Sequence, residues 1–215
     1  MAPIDLRPVP VSTSPVRRLP QLLAGLTLYG VSMGMMIRSG LGLDPWDVLH
    51  EALTFRTGLT FGTIAALTGL LVLLCWIPLR QRPGVGTVAN IVVIAVAVDV
   101  TLALLVRPEP LVARIALLVG GVVLNGLATA AYIGVRLGPG PRDGLMTGFV
   151  ARTKVSIRLI RTGIEVTVLA TGWLLGGTVG IGTVLYALAI GPITQALLPL
   201  VTWRERIPAT DSPGL

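Results

Sequence analysis

Hydrophobic residues run through this chain in long blocks, broken by short polar or Gly- and Pro-rich stretches, with no sustained strand-like alternation. Six blocks, near 20–39, 59–79, 84–106, 112–135, 156–176 and 180–202, reach the roughly 20 residues that a helix needs to cross a hydrocarbon core. Gln81-Arg82-Pro83-Gly84 separates the second block from the third, and Gly176-Gly177-Thr178-Val179-Gly180 the fifth from the sixth. Both junctions require tight turns, for which Gly and Pro are suited. The pattern predicts an all-α polytopic membrane protein with six transmembrane helices. Five crossings, with one close pair not fully spanning, is the alternative.

The blocks repeat at a fixed offset. Leu41-Gly42-Leu43-Asp44-Pro45-Trp46-Asp47-Val48-Leu49 lies over Leu137-Gly138-Pro139-Gly140-Pro141-Arg142-Asp143-Gly144-Leu145, and Arg56-Thr57 over Arg152-Thr153. Gly84-Val85-Gly86-Thr87-Val88 falls on Gly180-Ile181-Gly182-Thr183-Val184, and Gly25 and Gly30 on Gly121 and Gly126. Gly, Pro, Asp, Arg and Thr recurring in register mark two copies of one structural unit. The expected organisation is a disordered N-terminus over 1–19, a first repeat over 20–106, a linker at 107–114, a second repeat over 115–202 and a loose tail at 203–215. Three spans per repeat is an odd number, so the second copy enters the membrane from the opposite side and the repeats are inverted. Many secondary transporters use this architecture, which is a likeness of fold and not of function.

Composition agrees with the blocks. A chain that is 53% hydrophobic and 13% charged, with mean hydropathy +0.84, has more apolar surface than one soluble core of this size can hide. The net charge of +7 would suggest nucleic acid in a soluble chain. Here the basic residues sit in short loops beside the spans, where they set topology and meet anionic lipid. With the N-terminus inside, only Arg38, Arg56, Arg107 and Arg114 of the 17 Lys and Arg face outward, which favours cytoplasmic N- and C-termini. No removable signal peptide is expected, because no short apolar core with a small-residue cleavage site opens the chain. Lys154 stands alone among arginines, which suggests a GC-rich bacterial genome and hence a bacterial inner membrane. One cysteine, Cys75, leaves no intrachain disulfide and no thiolate cluster, so neither metal nor cofactor is expected.

Few residues carry candidate chemistry. Asp44 fits a helix N-cap, Pro45 the first helical position and Asp47 the first turn, with Gly140, Pro141 and Asp143 in the same places of the second copy. Asp47 and Asp143 therefore complete caps, or their short helices point positive N-termini at a shared cavity. The turns at Gly86-Thr87 and Gly182-Thr183 end one span and cap the next, or act as paired gates. They lack the Lys and the context of a nucleotide-binding loop. Glu165 is the sharpest single residue: about 13 Å into the fifth block, it lies close to the midplane. There an ionised carboxylate is costly unless paired or functional. Arg161 and Arg158 stand one and two turns earlier on the same face, so the alternatives are an internal Arg161–Glu165 pair or a substrate-binding or proton-coupling site with Arg158 and Arg161 as anion contacts. Asp99, whose repeat mate is Gln195, is a second intramembrane acid. Asn90 and Asn125 read as interhelical hydrogen bonders, and Gly30-x-x-x-Gly34 with Gly126-x-x-x-Ala130 as close-packing positions. His50 reads as a solvent-exposed loop residue, and Trp46, Trp76, Trp173 and Trp203 as interfacial anchors.

Taken together, the Leu41–Asp47 stretch, Gly84-Val85-Gly86-Thr87, Gly138-Pro139-Gly140-Pro141-Arg142-Asp143-Gly144-Leu145-Met146, Arg161-Thr162-Gly163-Ile164-Glu165 and Gly176-Gly177-Thr178-Val179-Gly180-Ile181-Gly182-Thr183 resemble the bacterial YczE/YitT-like membrane proteins. The resemblance covers about residues 20–202. It implies a polytopic inner-membrane protein, in a family with some members tied to control of antibiotic lipopeptide production, and it carries over no catalytic residues.

The residues themselves point first to a small-solute transporter for an anionic or zwitterionic solute, with a midplane site around Glu165, Arg161, Arg158, Asp99, Asp47, Asp143 and Arg142. Its partners would be membrane lipids and that solute, with no nucleic acid and with a homo-oligomer open. The alternative is a membrane-embedded regulatory or scaffold protein that contacts a cytoplasmic partner through the basic 136–161 region. An enzyme is disfavoured, since the spans hold no Ser/His or Cys/His pair and no metal-ligand spacing.

Overall fold

A computed structural model describes residue 6 and residues 8–203, and the expected loose tail beyond Trp203 lies outside the described residues. Eight helices and no strand occur among them: α1 Pro15–Ser39, α2 Pro45–Thr57, α3 Phe61–Leu79, α4 Val85–Leu104, α5 Leu111–Gly134, α6 Pro141–Thr153, α7 Ile157–Leu174 and α8 Ile181–Val201. The first residues of α1–α4 recur in α5–α8 at the same offset that relates Leu41 to Leu137. Local chemistry explains the match. Pro opens both short helices, and the left-handed residues Gly58 and Lys154 close them. Thr60 and Ser156 then cap α3 and α7 by accepting from Thr63 N and Leu159 N.

Five helices (α1, α3, α4, α5 and α8) are long and apolar enough to cross a membrane. The remaining long helix, α7, carries Arg158, Arg161 and Glu165 along its first half. Outward faces bear exposed Leu71, Ile77, Leu104, Val112 and Leu188, as expected where lipid is the solvent. The chain is a membrane protein with several candidate spans.

Helices α1 and α5 form the centre, with α4 along α1 and α8 along α5. Small residues set these approaches: a Cβ on Gly30 would meet Ile94 O at 2.8 Å and Val98 N at 2.9 Å, and one on Gly126 would run into Ile193. Asn125 bridges helices, donating from Nδ2 to Ser32 Oγ (2.8 Å) and accepting from Tyr186 OH (3.0 Å). The short helices cross over. Helix α2, from the first half, packs on α7, and α6, from the second, packs on α3.

The two halves are tied at equivalent points. Gly86 N donates to Leu137 O (3.0 Å), and Gly182 N donates to Leu41 O (2.8 Å). At both crossings the following glycine, Gly42 at φ 115° or Gly138 at φ 122°, sits in a conformation that favours glycine and lies against Gly180 or Gly84. Thr87 and Thr183 accept from the N-cap amides of Gly84 (3.1 Å) and Gly180 (3.3 Å), and Thr87 Oγ1 donates to Pro139 O (2.7 Å).

Three expectations change on folding. The N-terminal stretch is built from residue 8: α1 starts at Pro15, Val9 N donates to Arg136 O (2.9 Å), and the fully buried Arg18 donates to the carbonyls of Val9, Pro10 and Thr13. Two of the tryptophans expected as interfacial anchors, Trp76 and Trp203, are buried. Trp76 Nε1 donates to Pro141 O (3.0 Å) with its ring over Gly144, and Trp203 lies beneath the Arg18 guanidinium. They sit at block ends, as read, but α6 and the N-terminal segment fold inward over those ends. Trp173 is exposed.

Candidate functional site

Helices α2 and α6 both begin with a proline-led turn, and their first residues face a common interior. Asp44 Oδ1 accepts from Trp46 N (2.9 Å) and Asp47 N (3.1 Å), which completes the α2 cap. Arg142, at the start of α6, reaches across to both acids, with nitrogens 3.7 Å from Asp44 Oδ1 and 3.7 Å from Asp47 Oδ1. Its guanidinium stacks 4.9 Å above the Trp46 ring. Asp143 accepts from Tyr132 OH at 2.6 Å.

Between these caps and helices α3, α4, α7 and α8 lies a cavity of about 270 Å³, the size of a small metabolite site. Both halves wall it. Asp44, Trp46 and His50 come from the first half, and Arg142, Asp143, Arg161 and Glu165 from the second, with Tyr29, Tyr132 and Tyr186 completing the polar and aromatic lining.

Burial sets the protonation of the α2 acids. It pushes the Asp44 carboxyl up to about 7, with the Asp47 charge adding and Arg142 opposing. It raises Asp47 to about 6 against the pull of Arg142. His50 is held down to about 3 by the same burial with Arg142 assisting, so its ring is neutral; with Asp47 ionised, Nδ1–H donates to Asp47 Oδ1 at 3.1 Å. Asp44 Oδ2, Trp46 Nε1 and His50 Nε2 line or border the cavity as buried polar atoms with no protein hydrogen-bond partner.

The expected site residues separate into four groups. Arg142, Asp143, Arg161 and Glu165 line the cavity, with Asp47 directly behind it. Arg161 Nε donates to Glu165 Oε1 at 2.9 Å, so the internal pair exists and faces the cavity at once. Arg158 is exposed on α7 and does not line it. Asp99 lies elsewhere: its carboxylate accepts from Thr60 Oγ1 (2.6 Å) and Gly62 N (2.7 Å) and fastens the start of α3 to α4. Gly86, Thr87, Gly182 and Thr183 form the two crossings described above.

His50, expected in solvent, and Trp46, expected at an interface, are both buried in this site. The physical reason is the inward course of α2. The signal that could have found them is their helical spacing: Trp46, Asp47 and His50 share one face of a short helix whose cap residue is itself an acid.

One pair of equivalent helices differs. Helix α3 packs along α4 through Gly62 and Gly69, whose positions would bring a Cβ onto Ala95 O and to 3.1 Å from Ile91. Their counterparts on α7 are Arg158 and Glu165, and no comparable packing joins α7 to α8. Gly191 on α8, which counterparts Ala95, has open space where a side chain would stand. The cavity is thus closed on the α3–α4 side and flanked by charge where α7 stands off α8.

Residues 16–199 match the model of a family of unknown function (DUF6198). An uncharacterized protein of Haemophilus influenzae is 39% identical over 196 residues, which cover 91% of this chain and 90% of that protein. The uncharacterized membrane protein YczE of Bacillus subtilis is 33% identical over 178 residues, 82% of this chain and 83% of the relative. The uncharacterized protein YyaS of the same organism is 26% identical over 181 residues, 82% and 90% of the two chains. No solved structure matches. The chain belongs to this YczE-like family of membrane proteins.

Proposed function

We propose that this protein is a solute carrier of the bacterial inner membrane, with both termini cytoplasmic, that binds a small zwitterionic or anionic solute between two inverted halves. The observation that carries this reading is the cavity itself: it is walled by both halves and lined by charges of both signs, with buried polar atoms left for a ligand to satisfy. In this reading α7 crosses the membrane as a sixth span, with Arg161 and Glu165 turned toward the cavity. The unequal packing of α3–α4 and α7–α8 supports alternation. Closing α7 onto α8 while releasing α3 from α4 would exchange the roles of the halves and turn the cavity to the other face. Glu165 and Arg161 then sit at the moving edge, where solute binding and closure meet.

The regulatory reading has less support. Of the basic residues offered for a cytoplasmic partner, Arg142 is drawn into the cavity, Arg152 donates to Pro78 O and Arg161 is paired with Glu165.

The test is solute counterflow in liposomes containing the purified protein, across a panel of zwitterionic and anionic metabolites. Counterflow of one solute class, lost in Glu165→Gln and Arg142→Gln, is expected. Equal behaviour of protein-containing and empty liposomes for every solute would overturn the carrier reading.

A further inference from the structure

The unpartnered atoms of the cavity form a pattern of their own. Asp44 is 1% exposed; its Oδ1 is used twice by the α2 cap, while Oδ2 has no partner. His50, also 1% exposed, keeps Nε2 as an acceptor without a donor, since Nδ1 is spent on Asp47. In the same segment as these two acceptors stands a donor, Trp46 Nε1, on a ring that is 6% exposed. All three residues line the cavity. Buried polar groups without partners are rare and costly, so a ligand that completes them gains more than its own contacts.

Charge points the same way. Arg142 faces Asp44 and Asp47 together, at 3.7 Å from each, so one guanidinium is set against two carboxyls. With both acids ionised this group carries a net negative charge in a buried place. One bound cation, or one proton, makes it neutral.

We infer that the Asp44–Asp47 pair is the subsite for the ammonium group of an amine-bearing solute, which takes the place of a proton held by the pair. This rests on the carrier reading only in identifying the cavity as the solute site, and it narrows the solute to an amine, most simply a zwitterion. The ammonium donates to Asp44 Oδ2 and His50 Nε2, and an oxygen of the same solute accepts a hydrogen bond from Trp46 Nε1–H. The exchange balances: the carboxyl O–H bond breaks, its electron pair stays on the carboxylate, the proton leaves for water, and the incoming ammonium brings one positive charge.

The other charged groups around the pair are consistent with one-for-one exchange. Glu51 adds negative charge from α2. Across the cavity, Asp143 is tied to Tyr132, and Arg161 and Glu165 compensate one another. Tyr29 from α1 and Tyr186 from α8 stand in the same wall. The burial that raises Asp44 to about 7 places the exchange in the physiological range.

The test is isothermal titration calorimetry of the purified full-length protein with methylammonium and with methanesulfonate, whose charges stay fixed between about pH 5 and pH 8. Running each titration in two buffers of different ionisation heat counts the protons released. Methylammonium is expected to bind with about one proton released near pH 6, and to weaken about a hundredfold from pH 8 to pH 5 as the proton competes. Asp44→Asn is expected to bind at least about tenfold more weakly, with no proton release. The wild-type proton count stands alone should that variant fold poorly. Binding without proton release, tighter binding of methanesulfonate, or no methylammonium binding at all would each overturn the inference. Methylammonium exchange by a protein that shows no counterflow would uphold the subsite and sink the carrier reading. Counterflow of a solute without proton release would do the reverse.

Discussion

Arg18 and Arg114 do the same work at opposite ends of the protein. Arg18 donates from Nε to Val135 O (2.9 Å) and from Nη2 to Arg136 O (3.1 Å), and Arg114 from Nε to Ser39 O (2.7 Å) and from Nη2 to Gly40 O (3.0 Å). Each thus satisfies carbonyls at the C-terminal end of the other central helix and just beyond it, where the helix dipole also favours a cation. Arg18 is buried and Arg114 only partly so. Arg18→Met should cost about 3 kcal/mol, seen as a lower melting temperature in detergent, and Arg114→Met clearly less. Equal losses would mean that burial does not set the strength of these caps.

Trp76 and Gly144 are partners across the α3–α6 contact, and their counterparts across α2–α7 are Gly172 and Val48. The large residue stands on one helix in the first case and on the other in the second. Trp76→Gly should cost about 3–5 kcal/mol through the cavity it leaves, and Gly144→Val should clash with the Trp76 ring. Made together, they write the α2–α7 solution into α3–α6, so the double variant should be more stable than the sum of the single losses predicts. Strict additivity in a double-mutant cycle would contradict this account.

Asp99 holds the start of α3 to α4 through Thr60 and Gly62. Asp99→Ala should release that end. Hydrogen–deuterium exchange over the first turn of α3 should rise about tenfold or more, with the crossings at Gly86 and Gly182 unchanged. Unchanged exchange would remove Asp99 as the fastener of the closed side.

Stability should depend on pH through α2. Asp44 holds its proton to about 7 in the folded chain against an ordinary 3.8, so its contribution is complete below about pH 4 and is lost as pH rises through about 7. Asp47 acts in the same direction up to about 6. His50 is reversed: depressed from 6.5 to about 3, it contributes fully above 6.5 and loses that contribution as pH falls toward 3. Each group changes stability by about 1.4 kcal/mol per pH unit in its window, so His50 offsets one of the acids. Melting curves should show Asp44→Asn flattening, and His50→Gln steepening, the decline in stability from about pH 4 to pH 7. Parallel pH profiles for wild type and Asp44→Asn would mean that Asp44 is not buried as described.

Much of this architecture was legible beforehand. The hydrophobic blocks foretell the long helices to within a few residues, and the recurring Gly, Pro and Thr foretell the turns and caps that lead into α4 and α8, because turns need particular residues at particular places. Depth in a hydrophobic block singles out Glu165, one-turn spacing adds Arg161, and both line the cavity. Asp44 was legible only as a cap, since nothing in a sequence says that one carboxylate oxygen caps a helix while the other awaits a ligand. His50, Trp46 and Trp76 were misplaced for one reason: a short amphipathic stretch beside a span reads as surface, and only tertiary packing turns α2 and α6 inward.

The two crossings also bear on how the protein is made. When α4 leaves the ribosome, the Gly86 amide has no acceptor, for Leu137 has yet to be synthesised, and the Leu41 carbonyl waits longer still for Gly182. The first four helices therefore emerge as an unfinished half, with α3 lacking α6 and α2 lacking α7. Insertion proceeds in sequence order, but the interior can close only after the last helix arrives, so biogenesis separates entry into the membrane from completion of the fold.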